Sequence, residues 1–419
     1  MFKKKISFLL NWYHFILAFL GVIFYCFPSR KLKIIGVTGT DGKTTTTEMI
    51  AKIFEEAGYK TSLINSIRFK IKDKEELNLL KMTMPGRFFI QKFLRKTINS
   101  GCSYSILEVT SEGILQHRHR FINFEVAVFT NLTPEHIERH GSFENYRATK
   151  GKLFQATKKI HIINEDDENK DYYLQFPANK KYLYQFRNQK GRIKIINQNS
   201  EILEEINNLD IKLKLRGEFN ISNALAAICV CLSQGISLES CKKSLEKFEG
   251  VPGRMEEVIS EPFKVFLDYA VTPASLQKVY EILSKESKIQ NPKSKMICVL
   301  GACGGKRDKW KRPVLGQIAV RYCDKIIITN EDPYDENPYQ ILSMIKLGIF
   351  KSQFPISNFY EILDRREAIR KALELASPGD IIITTGKGSE TWICLTKGKK
   401  IPWNEKEIIK EEFNKLQFD

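Results

Sequence analysis

Residues 36–47 read GVTGTDGKTTTT and directly follow the apolar run KLKII. Few local structures accommodate such a stretch. The apolar run reads as a buried strand, the glycines as a tight turn, and residues 44–57 have helical apolar spacing that stops at Gly58. A strand–loop–helix of this kind aims backbone N–H groups and a helix N-terminus at an anion. Lys43 can then reach terminal phosphates, and the Thr44 hydroxyl can bind Mg²⁺. The spacing is GxxGKT, from Gly39 to Thr44, whereas in the commoner GxxxxGK[ST] pattern the first glycine would fall on Val37.

The alternation continues along the chain. SYSILEVT, EVAVFTNL and KKIHIIN read as buried strands, 142–157 as a helix, and EFNISNALAAICVCLSQG as a strong helix. Residues 165–200 read as small strands and loops. GVPGR at 250–254 interrupts the pattern and marks a domain boundary. Beyond it, FKVFLDYA, MICVLGAC, KIIITNED and DIIITTGKG read as strands, with helices near 273–286, 312–323, 338–350 and 364–376. Such a series predicts an α/β fold with parallel-rich sheets covered by helices. The expected organisation is a hydrophobic helix in 1–30, a nucleotide-binding domain over 31–250 and a second, Rossmann-like α/β domain over 251–419.

Lysine plus arginine number 66 against 49 acidic residues, a net charge of +17. No basic run interleaved with aromatics accompanies this excess, so nucleic acid is not an expected partner. The nine cysteines are odd in number and include no CxxC pair, which supports neither a disulfide framework nor a zinc site. They read as reduced core residues of a cytosolic protein.

The loop also resembles the ATP loop of the Mur ligases, most closely the MurE type, in which Asn usually stands at the position of Asp41. The resemblance continues through ILEVTSEGI (106–114), FTNLTPEHIERHGSFENYRATKGKLF (129–154), GEFNISNALAAI, VPGRMEEV, FLDYAVTP, GACGGKRDKWKRP and TTGKGSE. It implies ATP-dependent amide-bond formation in peptidoglycan biosynthesis. A substrate carboxylate takes the γ-phosphoryl group, and the amine of an incoming amino acid displaces phosphate from the acyl phosphate. Bringing a carboxylate to a triphosphate demands screening by Mg²⁺ and cationic side chains.

The resemblance assigns roles residue by residue. Gly39, Thr40, Asp41, Gly42, Lys43, Thr44 and Thr45 would hold ATP. Thr44, Glu108 and His136 would hold Mg²⁺, two ions being implied. Lys150, in Tyr146-x-x-x-Lys150, matches the lysine carried as a carbamate, which turns a cation into a second carboxylate-like ligand. Lys43, His136 and Lys150 form the implied catalytic set. Asn220 and Asn223 would contact adenine, and Arg254 and Asp268 would reach the nucleotide from the second domain. Thr83 in MTMPGR matches part of the muropeptide-binding region, with Met84 at the second Thr. Arg307 would hold an α-carboxylate, and Gly386 and Glu390 an amino group.

Three departures shape the expectation. About 30 residues precede the loop strand, too few for the family's uridine-nucleotide domain. FLDYAVTP carries Val271 where the family has His. The selectivity motif Asp-Asn-Pro-Arg of diaminopimelate-adding enzymes reads EDPY, with Asp332 and Tyr334 at the Asn and Arg positions. The Arg fork for a distal carboxylate is therefore missing, and Asp332 would suit a second amine. Related superfamily activities are ligation on lipid-linked precursors, folylpolyglutamate or polyglutamate synthesis, and an inactive ATP-binding subunit. Residues 6–26 form an apolar run with Trp12, Tyr13 and Tyr25 near its ends, Lys3, Lys4 and Lys5 before it, and Arg30, Lys31 and Lys33 after it. It is long enough to span a bilayer, to lie in the interface or to pack on the protein; the expected location is the cytoplasm, with the first two dispositions holding the chain at the inner membrane face.

Overall fold

The computed structural model describes residues 2–187, 190–305, 307–351 and 356–416. The elements run α1 (Phe2–Phe24), β1 (Lys33–Thr38), α2 (Lys43–Glu56), β2 (Thr61–Ile64), β3 (Arg68–Ile71), β4 (Lys74–Leu77), α3 (Arg87–Asn99), β5 (Tyr104–Glu108), α4 (Ser111–Leu115) and β6 (Phe124–Phe129). They continue as α5 (Ile137–His140), α6 (Phe143–Ala156), β7 (Ile160–Asn164), α7 (Lys170–Leu174), β8 (Lys180–Arg187), β9 (Lys190–Asn197), β10 (Ile202–Leu209), α8 (Glu218–Ser233) and α9 (Leu238–Glu246). The remainder comprises β11 (Glu256–Ile259), β12 (Lys264–Asp268), α10 (Pro273–Gln290), β13 (Met296–Leu300), α11 (Lys311–Tyr322), β14 (Lys325–Ile328), α12 (Pro338–Phe350), β15 (Phe359–Glu361), α13 (Arg365–Leu375), β16 (Ile381–Thr385), β17 (Trp392–Cys394), β18 (Lys400–Pro402) and α14 (Glu405–Leu416).

Two compact units result: Met1–Pro134 with Ser142–Glu249, and Glu135–Gly141 with Gly250–Asp419. In the first, a ten-stranded sheet has the order β10-β9-β8-β7-β6-β1-β5-β2-β3-β4. Its centre, β8 through β2, is parallel, and both margins are antiparallel. β1, β5, β6 and β7 are the apolar runs read from the sequence, as expected of parallel strands covered by helices, whereas β2 and β8 are not among those runs. β4 ends the sheet with four exposed positions carrying Lys74, Glu75 and Glu76, charges that discourage pairing with another edge. The 165–200 segment, expected as small strands and loops, instead includes the eight-residue strands β8 and β9. β9 alternates, with half-buried Arg192 and Lys194 between buried Gly191, Ile193 and Ile195, whereas β8 is buried from Lys181 to Gln185, its Lys and Gln lying among Tyr182, Leu183 and Tyr184.

The second unit has a six-stranded sheet of order β11-β12-β16-β13-β14-β15, parallel except for β11. Its helices begin on strong local signals. Thr272 and Ser275 form a capping box ahead of α10 with Pro273 in its first turn, and Asn337 caps α12 before Pro338. The core gathers Val265, Leu267, Ile297, Val299, Ile327 and Ile382 with Ala368 and Ile369 of α13.

Among the described residues no helix is long and apolar enough to cross a membrane, which leaves the spanning alternative for residues 6–26 unsupported. One face of α1 packs inward through buried Ala18, Gly21 and Val22, and a Cβ on Gly21 would lie 3.6 Å from Phe88 on α3. Arg95 of α3 donates to the carbonyls of Tyr25 and Cys26 beyond the end of α1. All nine cysteines are free thiols and most are buried.

Candidate functional site

The loop between β1 and α2 is held by its neighbours in the sheet. Thr130 and Asn131, just past β6, form a clamp on it. Thr130 Oγ1 and Asn131 Nδ2 donate to the Asp41 carbonyl at 2.7 and 3.1 Å, and Asp41 N–H donates to Asn131 Oδ1 at 2.9 Å. A Cβ on Gly39 would come within 1.9 Å of Thr130 Oγ1, so only glycine allows this approach. Gly42 has φ +80° and lies against α8, where a Cβ would meet Asn223 Oδ1 at 2.3 Å. Lys43 Nζ donates to the Thr40 carbonyl at 2.7 Å, which folds the ammonium back over the loop.

Thr44 and Glu108 come together at the carboxyl ends of β1 and β5. Thr44 Oγ1 donates to Glu108 Oε2 at 3.0 Å, and Ser66 N–H donates to the same oxygen at 3.0 Å. The Ser66 hydroxyl also lies 2.8 Å from Thr83 Oγ1, which joins the predicted substrate residue to this cluster. Ser66 carries no sequence signal of its own. It reaches Glu108 only because β2 lies beside β5.

Lys150 is buried on α6, and its Nζ donates to the Gly39 carbonyl at 2.6 Å. Burial, and then the nearby Lys43 ammonium, hold its amine well below the usual lysine range. Tyr146, one turn earlier, places its ring 4.7 Å from Lys150 Nζ and its hydroxyl 3.1 Å from Thr40 Oγ1. Asn220 and Asn223 share one face of α8, with Asn223 Nδ2 donating to Asn220 Oδ1 at 3.2 Å. Thr45, like Thr46 and Thr47, is buried in the first turns of α2.

The remaining candidates belong to the second unit. The 135–141 excursion is anchored there by a buried ion pair, Glu135 Oε1 to Lys311 Nζ at 2.7 Å. Asp308 carboxylate oxygens accept the N–H groups of Ile137 and Glu138 at 3.1 and 2.9 Å. His136, with φ +59°, therefore groups with Arg307, whose Nη1 is 3.4 Å from His136 Nδ1. Glu108 and Lys150 group with the loop. The Arg254 guanidinium lies 4.6 Å from the Tyr269 ring centroid, and Asp268 Oδ2 accepts from Met255 N–H at 2.7 Å.

A charged cluster surrounds the end of β16. Lys387 Nζ, fully buried, donates to Asp332 Oδ1 at 3.0 Å, Glu390 Oε2 at 2.7 Å and the Trp392 carbonyl at 2.8 Å. Asp332 also accepts from Cys394 N–H at 2.8 Å. Asp332 therefore shares the Lys387 ammonium with Glu390. Tyr334 adopts φ +51° and donates its N–H to the Cys394 carbonyl at 3.1 Å. Glu331, which the sequence reading passed over, is the buried carboxyl beside Gly386, where a Cβ would meet Glu331 Oε2 at 2.6 Å. Burial, and then Asp332, push its pKa up to about 7. Lys387 sat unmarked inside the GKGSE stretch, and only its contacts give it weight.

Among the described residues no group of three or more His, Cys, Asp and Glu side chains could hold a metal by itself. A single carboxylate beside a threonine hydroxyl fits Mg²⁺ that arrives with phosphate oxygens and water as its other ligands.

Comparison with known proteins agrees with this geometry. The Mur ligase middle domain family matches residues 37–231, and the Mur ligase glutamate ligase domain family matches 253–388. The UDP-N-acetylmuramoyl-L-alanyl-D-glutamate–2,6-diaminopimelate ligase of Clostridium tetani is 37% identical over 402 residues, covering 94% of this chain and 80% of the relative. A UDP-N-acetylmuramyl-tripeptide synthetase of Roseiflexus is 35% identical over 413 residues, covering 93% and 80%. A solved 2,6-diaminopimelate ligase structure of the same type superposes with a TM-score of 0.56 at 27% identity, covering 92% of this chain and 79% of that one. With both family domains matched and relatives this similar along nearly its whole length, the chain belongs to the Mur ligase family.

Proposed function

We propose that this protein is an ATP-dependent ligase that joins an amino acid to the carboxylate of a muramoyl-peptide cell-wall precursor. The observation that carries this reading is the Lys150–Gly39 contact. It brings a buried, depressed-pKa amine to the same loop whose far end joins Thr44 to Glu108. The relatives, which are UDP-N-acetylmuramoyl-peptide ligases, support the same substrate class.

In this reading the loop N–H groups and Lys43 hold the triphosphate, with Asn220, Asn223, Arg254 and Asp268 on the nucleoside side. Mg²⁺ would be held by Thr44 and Glu108, with His136 as a further ligand, and would supply charge neutralisation at the transferring phosphoryl group. A neutral Lys150 amine is the form that adds CO₂, releasing one proton and leaving a carbamate anion. The burial of Lys150 favours that neutral form. Arg307 would pair with the α-carboxylate of the incoming amino acid, while Gly386 and Glu390 receive its amino group and Thr83 meets the precursor. The chain works in the cytoplasm, and α1 brings it to the inner face of the membrane.

The test is phosphate release with ATP and Mg²⁺ against UDP-muramoyl dipeptide, lipid-linked precursors, folate and a panel of amino acids. Turnover that requires both a muramoyl peptide and an amino acid supports the reading. Turnover only with folate or glutamate chains overturns it.

A further inference from the structure

α1 has two unlike faces. Ala18, Gly21 and Val22 are buried, yet Trp12, Tyr13, Ile16, Leu20, Ile23 and Phe24 are exposed, Phe24 by 72%. On α3 the exposed Phe88, Lys92 and Lys96 follow one another at i, i+4 spacing and so form one stripe, flanked by exposed Phe89. Phe24 and Phe88 are in ring contact at 6.5 Å, so the apolar face of α1 runs into that stripe. A contiguous exposed apolar surface of this kind calls for a partner.

The charge around it chooses the partner. Residues 1–40 contain Lys3, Lys4, Lys5, Arg30, Lys31 and Lys33 and no acidic residue. α3 adds Arg87, Lys92, Arg95 and Lys96, again with no acidic residue. A second copy docked on this face about a two-fold axis would bring like charges together, which opposes self-association. A bilayer surface with anionic headgroups satisfies both halves: hydrocarbon for the aromatic and aliphatic side chains, and headgroup charge for the lysines.

We infer that the outer face of α1, with the Phe88–Lys92–Lys96 stripe of α3, is a docking surface for an anionic lipid bilayer on which α1 lies in the interface. This deepens the membrane-face reading and rests on it. Spanning is excluded while Ala18 and Val22 keep their contact with the body of the protein, because the buried face is then unavailable to lipid.

The test is sedimentation of the full chain with vesicles of phosphatidylcholine, with and without phosphatidylglycerol. Binding is expected only with the anionic lipid. Lys92→Gln and Lys96→Gln should each lower the partition coefficient by about fivefold, and by about 25-fold together, at about one kcal/mol per lysine near the surface. Ile16→Asp with Leu20→Asp should abolish binding. Both variants should keep the wild-type rate of phosphate release in lipid-free buffer, which separates this surface from the ligase reading. Equal binding to both vesicle types would overturn the charge assignment while leaving membrane contact standing. Absence of binding to either would overturn both. A dimer in lipid-free buffer that Ile16→Asp dissolves would assign the face to a second copy instead.

Discussion

Replacing Gly42 with alanine perturbs the loop at a point where two penalties can be separated. The backbone there has φ +80°, a region that costs an L-residue about 1–2 kcal/mol. The added methyl would also lie 2.3 Å from Asn223 Oδ1. That oxygen cannot simply swing away, because Asn223 is buried, donates to Asn220 and accepts from the Thr46 hydroxyl at 3.4 Å. Overpacking of this kind costs about 1–3 kcal/mol, so Gly42→Ala should lose about 2–5 kcal/mol in total. Asn223→Ala removes the obstacle but not the backbone strain. The double variant should therefore be more stable than the sum of the single losses by about 1–3 kcal/mol. Urea unfolding of the four proteins, with ADP titration on each, measures the cycle. Additivity within about 0.5 kcal/mol would refute the contact between the loop and α8.

Lys150→Ala should lower phosphate release by about 100-fold or more, with partial recovery on adding formate or acetate; full activity without additives sinks the carbamate assignment. Arg365 is fully buried and forms a two-pronged pair with buried Glu405 at 2.6 and 2.7 Å. Arg365→Met should cost about 3–5 kcal/mol in urea unfolding by stranding that carboxylate, and adding Glu405→Gln should recover part of it. With Tyr334 in place of the arginine fork, lysine should compete with diaminopimelate in a mixed-substrate assay, and Tyr334→Arg should shift use toward diaminopimelate; strong wild-type selectivity for diaminopimelate refutes this. His161 is buried with its pKa lowered from 6.5 to about 4, chiefly by desolvation. Below 6.5 the unfolded chain takes up a proton that the folded chain refuses, so its contribution, on the order of 3 kcal/mol, is complete above pH 6.5 and lost as pH falls toward 4. His161→Gln should flatten that part of the pH–stability curve, and an unchanged slope would count against it.

What the sequence disclosed and what it hid divide along the distance over which each feature is encoded. The loop was legible because strand, glycines, lysine and helix lie within residues 33–56, where local sterics decide the geometry. Lys150 was legible through Tyr146, one helical turn away. Ser66 was not, because its role depends on β2 pairing with β5, and nothing near Ser66 announces that register. β8 and β9 escaped for a related reason. In β9 the half-buried Arg192 and Lys194 break the apolar run, and in β8 the buried Lys181 and Gln185 do so although that strand is covered on both faces.

Asp332 and Glu331 show the same limit in electrostatics. A sequence gives the charge of a side chain but not the charge of its surroundings. Asp332 reads as a charge for a second amine, and the structure adds that it already accepts from Lys387 Nζ and the Cys394 N–H. Glu331, its neighbour in the chain, is buried beside Gly386 with Asp332 and Glu390 raising its pKa, and Lys387 and Arg365 together hold it only to about 7. Its charge can therefore change near neutral pH. An ammonium arriving beside Gly386 would pull that equilibrium toward the carboxylate, whereas a carboxylate arriving there would push it toward the acid. Under the proposed function, discrimination at this end of β16 would turn on a proton at Glu331. Glu331→Gln fixes the neutral form, so it should raise the KM for the amino acid and flatten the dependence of that KM on pH around 7. A pH profile identical to that of the wild type would assign the selection to other side chains.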